Sequence, residues 1–546
     1  MTEILTSKMK NDTTRMFYND IQANDYYVYV ASVTTGLVRQ TAVNAQYSTN
    51  EFLENTLFGK KILGTDTKFM IKFYDWQKDA VYDQYDDTLD MEGKKFYAVV
   101  SPNSNDTGDY RVFKCLSNSN LSPSTAPPNW NPENTSQVYR TADGYVWKYL
   151  YVITSAEFEA YNAIGYIPLI SEDFVINPNP NADANNIVYG SEISDIFVSN
   201  PVDNAGYKSQ AGFLTAAPGN DGTLTLRADG INQITNYYNG MSIYLTNSDG
   251  RSFLYVINSY VFEPGTGYGK AKVIGDPLGD QVSNIATFTI NPTCVIEGDG
   301  TGAVAIPNVI EGNIKSLLVL NAGSGYTNVI AKIVDPLFDF DPEDPNSIDV
   351  RAALRPVLSP FGGHGYNLID ELHCRHILLY GYITETDNNQ IGKTGTYSHI
   401  GIIKNPEFIS ASANSANTPT VFDNRIEITT DDIAYAAVDD VVQQFNEDND
   451  VIFSAKIQEV GAANTVFLSS YMGPYRNRAN NDISLDATKA LVNSTGQRMF
   501  INTPTANNII ESDYVQRTGQ VYFFEDFVPL ARSFMSREEY KLVLEF

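Results

Sequence analysis

The stretch Asp143–Ile153, DGYVWKYLYVI, decides the fold class. From Tyr145 onward both alternating faces are apolar or aromatic, and Lys148 is the only charge. A strand with that pattern is covered on both sides, because side chains of a strand point alternately to opposite faces. The chain around it reads the same way. Phe69–Trp76 (FMIKFYDW), Phe96–Val100 (FYAVV) and Tyr110–Leu116 (YRVFKCL) are short β-branched and aromatic runs with turn residues between them. Ahead of them, Met9–Ile21 (MKNDTTRMFYNDI) sets Met9, Thr13, Met16, Phe17 and Ile21 at helical spacings. Asn24-Asp25 ends that helix, and Tyr26–Val33 (YYVYVASV) reads as a strand.

Between Cys115 and Tyr145 runs a long Asn/Pro/Ser-rich loop with Trp130 in its middle. Loops of that length inside a domain are usually binding elements or extended arms. Asn177–Asn186 (NPNPNADANN) reads as a linker, and Gly-, Asn- and Thr-rich strands follow it. There, NAGY, PGTGY and NAGSGY place tyrosines at Tyr207, Tyr268 and Tyr326, a spacing that points to duplicated small β units. Each Gly-rich corner supplies the positive φ of a tight turn, with the Tyr packing back on it. The prolines of Asp335–Pro345 exclude a helix. Apolar strands return at His376–Ile383 and His399–Ile403. A second inserted segment follows, with strands expected at Val421–Thr429 and Thr465–Ser469, and the chain closes on the strand Tyr540–Phe546.

Composition bounds the function. At 546 residues the chain is long enough for several packed domains. Thirty-seven basic against 65 acidic residues give a net charge of −28, which disfavours nucleic acid and anionic membrane surfaces as partners. The plain reading of that acidity is solubility. Cys115, Cys294 and Cys374 are odd in number and far apart, so neither a disulfide framework nor a zinc ribbon is expected. The N-terminus has no apolar signal-peptide core, and no stretch reaches the roughly 18 apolar residues of a membrane helix. Assembly in a cytoplasm is the expectation.

No G-x-S-x-G elbow or P-loop is present, and the glycine corners lie in β context, unlike a dinucleotide fingerprint. Asp335–Asp349 lacks the spacing of a calcium loop. His364, His373 and His376 invite a metal reading, but positions three apart in a strand face opposite ways, so polar residues at a domain junction are expected instead. Carboxylate pairs such as Asp86-Asp87 and Glu343-Asp344 arise by chance among 65 acids. The expectation is a protein with no catalytic residues, no cofactor and no metal. The unusual feature is 35 Tyr and 28 Phe beside only 3 Trp. Tyrosine gives large contact area with a polar tip, which suits either sheet cores or extensive protein contact. The candidate contact surface is Trp130 in the long loop, Tyr145, Trp147, Tyr149 and Tyr151 of the aromatic strand, and Trp76. For Trp147 core and interface both remain open.

Several of these segments, in order, resemble the gene-8 baseplate wedge subunits of T-even-like contractile-tailed phages. They are Arg15–Ile21 (RMFYNDI) with the strand after it, Phe73–Trp76 (FYDW), YRVFKCL with its long loop, DGYVWKYLYVI, Gly165–Ile170 (GYIPLI), Ser359–Gly365 (SPFGGHG), Glu371-Leu372, Tyr397–Pro406 (YSHIGIIKNP) and the terminal strand. The resemblance covers roughly residues 10–175, 350–406 and 510–546. Two long segments, about 180–350 and 406–510, depart from it, and the first is similar to Gly-Ser-Gly-Tyr repeats of other phage tail proteins. The resemblance implies a homodimeric structural virion protein of the tail baseplate. It would join wedge proteins to the peripheral baseplate, take part in tail assembly and host attachment, and be no enzyme.

The fold expected is mainly β, with β-sandwich domains, a small α+β part and inserted β domains. Residues 1–178 would form the N-terminal part of a core wedge domain and 179–349 an inserted β-repeat domain. Residues 350–405 would continue the core, 406–509 form a second inserted β domain, and 510–546 supply C-terminal core strands. Insertion of this kind is tolerated where the connection points lie together at a surface. The alternatives are a receptor- or glycan-binding tail fibre or adhesin, motivated by the aromatic repeats, and a polysaccharide-degrading tail enzyme, motivated by the carboxylates.

Overall fold

Tyr145–Ile153 is one continuous strand over the span read from its side chains. The structure, a computed structural model, describes residues 6–31, 53, 55–102, 108–131, 138–169, 191–248, 250–335, 351–360, 363–384, 395–409, 418–472, 485–502, 509–510, 512–532 and 537–546. Strands take up 47% of the described residues and helices 8%, in several sheets, which is the mainly β multi-domain class expected. Among the described residues no helix is long and apolar enough to cross a membrane.

The chain forms two units. The first joins both chain ends: Met1–Ile71, Ala160–Leu169 and Cys374–Phe546. Its helix, Ser7–Ala23, starts where the Thr6 hydroxyl accepts a hydrogen bond from the Met9 N–H, an N-cap that satisfies one orphan donor of the first turn. Phe17 and Ile21, a turn apart, are buried. All six residues of Tyr26–Ala31 are buried, because the strand is central in a five-stranded sheet. It pairs antiparallel with Thr56–Lys61 on one side and with Gly395–Lys404 on the other, Val28 opposite Ile402. His376–Ile383 is flanked by Thr67–Lys72 and by the terminal strand Glu538–Glu545. The segment expected as a second insertion contributes a seven-stranded sheet of its own, with Ile428, Phe453, Ile457 and Leu468 in its core. The single strand expected at Val421–Thr429 is two, Val421–Asp423 and Ile426–Thr429, which pair into different sheets.

The second unit is Lys72–Glu159 with Ile170–His373. The two units therefore do not divide near residue 178, where side-chain character changes. Composition marks a change of residue type, whereas the units follow which strands pack together. Here Tyr145–Ile153 lies between Tyr110–Asn118 and Val138–Arg140, with Tyr97–Val100 beyond, and Cys115 faces Trp147 across the ladder. A closed six-stranded barrel runs in the order Gln210–Leu214, Thr223–Arg227, Tyr268–Ile274, Ser252–Glu263, Ser242–Thr246, Thr287–Asn291. Closure removes sheet edges that would otherwise template aggregation.

Three two-stranded sheets share a further core built on Ile193, Ile196, Ile314, Leu317 and Ala331. They are Ile193–Val198 with Leu354–Leu358, Thr293–Gly298 with Val329–Val334, and Val304–Ile310 with Asn313–Asn321.

The glycine corners of the repeat are real turns, but the repeat is not three copies of one unit. Gly323 sits at φ +66°, and a Cβ there would lie 2.6 Å from the Ala303 nitrogen and the Thr301 oxygen, so only glycine fits. Tyr207 and Tyr326 enter the same core, where Tyr207 Oη accepts from the Ala352 N–H at 2.7 Å. Tyr268 instead heads a strand of the barrel wall and is half-buried. The spacing reflects similar hairpin corners in different settings. The expected linker Asn177–Asn186 and most of Asp335–Pro345 lie outside the described residues.

Candidate functional site

The aromatic candidates gather inside the second unit. Trp147 and Tyr145 are fully buried and stack at 5.5 Å, with Tyr82 edge-on to Trp147. Tyr151 is 2% exposed. Trp76, Trp130 and Tyr149 pack, partly buried, against the same cluster. Of the two readings open for Trp147, the geometry is that of a core residue, and Tyr145 and Tyr151 equally lack the access an interface needs. The long loop is no free arm over its described first half. Ser124 exchanges main-chain hydrogen bonds with Asp79 and Ala80, and the Asp143 carboxylate accepts from the N–H groups of Thr125 and Ala126. Trp130 lies under the Arg111 guanidinium, 4.5 Å from its centre.

Behind the aromatic strand sits a polar knot that sequence reading missed. The Lys114 ammonium donates to Glu371 Oε1 at 2.8 Å and lies 3.4 Å above the Tyr85 ring. His364 places Nδ1 3.0 Å from the same oxygen and 3.1 Å from Lys114 Nζ, and its Nε2 lies 2.7 Å from Ser194 Oγ. The Gly365 N–H donates to the other Glu371 oxygen at 2.6 Å. The side chains of Lys114, His364 and Glu371 are essentially without exposure. Each residue stands where local structure demands it. Lys114 interrupts a strand buried on both faces, Glu371 ends a single helical turn that Asn367 caps, and Ser194 lies on the strand Ile193–Val198. The one available signal was Lys114 itself, a lysine inside the apolar run YRVFKCL, since such a charge is almost never buried unless paired.

Ser194, His364 and Glu371 line up as nucleophile, base and orienting acid do in acyl-transfer enzymes. The electrostatics oppose that use. Burial lowers the His364 pKa, and the neighbouring Lys114 ammonium lowers it further. A general base must become imidazolium as it takes the proton, and here that cation would form 3.1 Å from an ammonium. Burial pushes the Glu371 carboxyl up, but Lys114 and His364 outweigh it and hold it down at about 2. The carboxylate is thus committed to Lys114.

The remaining histidines do not join this group. His373, at φ 50°, lies edge-on to Phe96, while His376 begins a strand of the first unit beside Tyr166. Among the described residues no cluster of three His, Cys, Asp or Glu is placed to hold a metal ion.

Ser194 also borders a cleft of about 1340 Å³ in the second unit. One wall is the sheet face carrying Arg140 of the edge strand and Lys148 of its inner neighbour, another the barrel strands with Tyr244 and Asn291, and the third the strands Ile193–Val198 and Asn313–Asn321. Lys148 pairs with Glu192 at 2.9 Å. Burial raises the Asp195 pKa to about 6, against hydrogen bonds from the Ile196 N–H and Gln84. No protein-family model matches the chain, and no curated protein matches it.

Proposed function

We propose that this chain is a structural virion protein, a baseplate wedge subunit of a contractile phage tail. In this reading it works as a homodimer that links wedge components to the peripheral baseplate and takes part in tail assembly and host attachment, without chemistry of its own. The observation that carries the reading is where the family-like segments end up. YRVFKCL supplies Lys114, SPFGGHG supplies His364 and Glu371-Leu372 supplies Glu371, and these three make one buried knot. DGYVWKYLYVI supplies the core strand packed in front of it. The residues that carry the resemblance are therefore those that fix a fold, as expected when a family shares a scaffold and not a reaction. The committed Lys114–Glu371 pair, which leaves His364 a poor base, supports the non-enzymatic part of the reading.

The test is assembly. The purified full chain should run as a dimer and should restore infectious particles when added to tails built without their wedge subunit. A chain that stays monomeric and leaves such tails incomplete would remove the proposal. Hydrolysis of an activated ester that stops on Ser194→Ala would remove its non-enzymatic part.

A further inference from the structure

We propose that, in the first unit, the sheet face carrying Tyr380 and Tyr382 is a docking surface for an acidic polypeptide segment that also bears an apolar residue. The inference rests on that face alone and stands whether or not the wedge reading does.

Strand alternation builds the face. Leu378, Tyr380 and Tyr382 point to one side of His376–Ile383. Antiparallel pairing sets Lys68 opposite Leu378, Lys541 opposite Tyr380 and Glu539 opposite Tyr382, so all of them share that side. The face opens toward solvent along the strand, from the buried Leu378 to the exposed Tyr382. Tyr161 joins it from a neighbouring segment, edge-on to Tyr380 at 5.6 Å.

Each ring carries a cation. Lys68 lies 5.2 Å from the centre of Tyr161 and Lys541 lies 5.6 Å from that of Tyr380. Lys60 and Arg537 both stand over Tyr382, at 4.8 and 4.5 Å. Lys60 also donates to the Tyr382 carbonyl at 2.7 Å, and Lys541 to the Asn162 carbonyl at 3.2 Å. Two carboxylates lie among them. Glu539 is 3.5 Å from Lys541, and Asp66 already accepts from the Leu63 N–H. Among the described residues Lys68 and Arg537 have a ring for a partner and no carboxylate within ion-pair distance. On a chain of net charge −28, four cations gathered on three rings are an exception. A cation laid on a ring has already lost rotamer freedom that docking would otherwise remove, so less entropy is lost when an anion arrives. Lys68 and Arg537 have no salt bridge to give up first.

The face selects among anions. A nucleic acid stacks its bases on open aromatic faces, and here cations stand over the rings. Its closely spaced phosphates also meet the repulsion of the whole acidic chain. A polypeptide brings carboxylates with apolar side chains beside them, and the face offers those a contact. Ala163 and Tyr166 exchange main-chain hydrogen bonds around a tight turn, with Gly165 at φ +82°. Ile164 stands at its tip, as exposed as in a free chain, two residues from the carbonyl that Lys541 holds. An apolar side chain beside charges suits a protein contact, in which burial supplies affinity and charge supplies steering.

The test is fluorescence anisotropy of the full chain with a labelled peptide of four Glu-Glu-Leu repeats. The peptide should bind with Kd below about 100 μM at low salt, and at least about fivefold more weakly at about 0.3 M salt. Lys68→Gln combined with Arg537→Gln should weaken binding by about tenfold or more at an unchanged melting temperature. Ile164→Ser, at a fully exposed side chain, should weaken it by about threefold and leave a peptide of glutamate alone unaffected. Lys270→Gln on the barrel is the control and should change nothing. No binding of the Glu-Glu-Leu peptide, binding that the double variant leaves intact, or tighter binding of an oligothymidylate would each overturn the proposal. So would sedimentation in which the chain associates with itself and the double variant does not, since the occupant would then be a second copy. Restoration of incomplete tails is a separate readout, so failure here leaves the wedge reading untouched.

Discussion

The sheet around Trp147 and the six-stranded barrel belong to one unit and are held together in opposite ways. The barrel's core cluster is built of apolar and tyrosine side chains, among them Leu224, Leu226, Ile243, Ile257, Phe288 and Ile290. The sheet buries aromatics on one side and a fully desolvated Lys114–Glu371–His364 knot on the other. Apolar packing is non-directional and degrades gradually as atoms are removed. A buried ion pair is directional and fails abruptly, because losing one partner strands a charge in a medium that cannot solvate it. The difference teaches that the sheet around Trp147 is the brittle region and the barrel the tolerant one.

The strongest way to break that contrast is to remove half of the knot. Glu371→Ala leaves Lys114 buried and unpaired, and should cost about 3–5 kcal/mol of stability. Replacing both partners, Lys114→Met with Glu371→Leu, should recover most of that loss, since well-packed apolar groups often substitute for a buried pair at little cost. Denaturant unfolding followed by tryptophan fluorescence reads the right region, because Trp76, Trp130 and Trp147 all pack in the sheet cluster. A double replacement no more stable than Glu371→Ala would show that the knot does more than balance its own charges. In the barrel, Ile290→Val removes one methylene from a fully buried side chain and should cost only about 0.5–1.5 kcal/mol.

Acid should separate the two regions next. The Glu371 pKa lies below its ordinary value of 4.5, so its contribution is complete above 4.5 and is lost as pH falls toward about 2. The His364 pKa is lowered from 6.5, so the folded state resists protonation and stability also declines as pH drops below 6.5. Both shifts act in the same direction. The barrel core holds no such group. Its Tyr238, Tyr255 and Tyr260 have raised pKa values, first from burial, and lose their contribution only as pH climbs above 10. Raised tyrosines occur in the sheet too, so the alkaline limb is shared. On the acid side, hydrogen bonds from Thr223 also hold down the Asp221 carboxyl at a barrel turn, but that group is exposed, so the buried part of the acid limb belongs to the sheet. Between pH 6.5 and 3 the tryptophan signal should change while amide protons of the barrel strands stay protected from exchange. Barrel protection lost at the same pH would remove the distinction.

Much of this architecture was legible beforehand. Alternation and β-branched runs located Tyr145–Ile153 and His376–Ile383 to the residue, and helical spacing located Ser7–Ala23 to within two. Such signals are local, and a strand covered on both faces announces itself. The knot was not legible, because Lys114, Ser194, His364 and Glu371 meet across up to 257 positions of sequence and no period links them. The tyrosine repeat misled for a related reason. Tyr207, Tyr268 and Tyr326 share a local turn chemistry, and only the fold decides which core a side chain enters. Trp130 and the long loop looked like a contact arm because loop composition is blind to the Asp143 carboxylate that fastens it.

The smallest expected effect sharpens the comparison most, because it holds chemistry and distance nearly constant. On the barrel surface Lys270 lies 2.6 Å from Glu263, closer than Lys114 to Glu371 at 2.8 Å. If ion-pair worth followed distance, the barrel pair would be the stronger. Lys270 and Glu263 are 47% and 34% exposed, however, so water screens their attraction and holding two long side chains in one geometry offsets part of it. Lys270→Met should therefore change stability by about 0–1 kcal/mol, and less still at high salt. Double-mutant cycles on the two pairs make the comparison quantitative, since each isolates the coupling from the effect of either residue alone. Coupling across Lys114–Glu371 should exceed that across Lys270–Glu263 severalfold. A barrel pair that couples as strongly as the buried one would mean that burial is not what makes the sheet brittle.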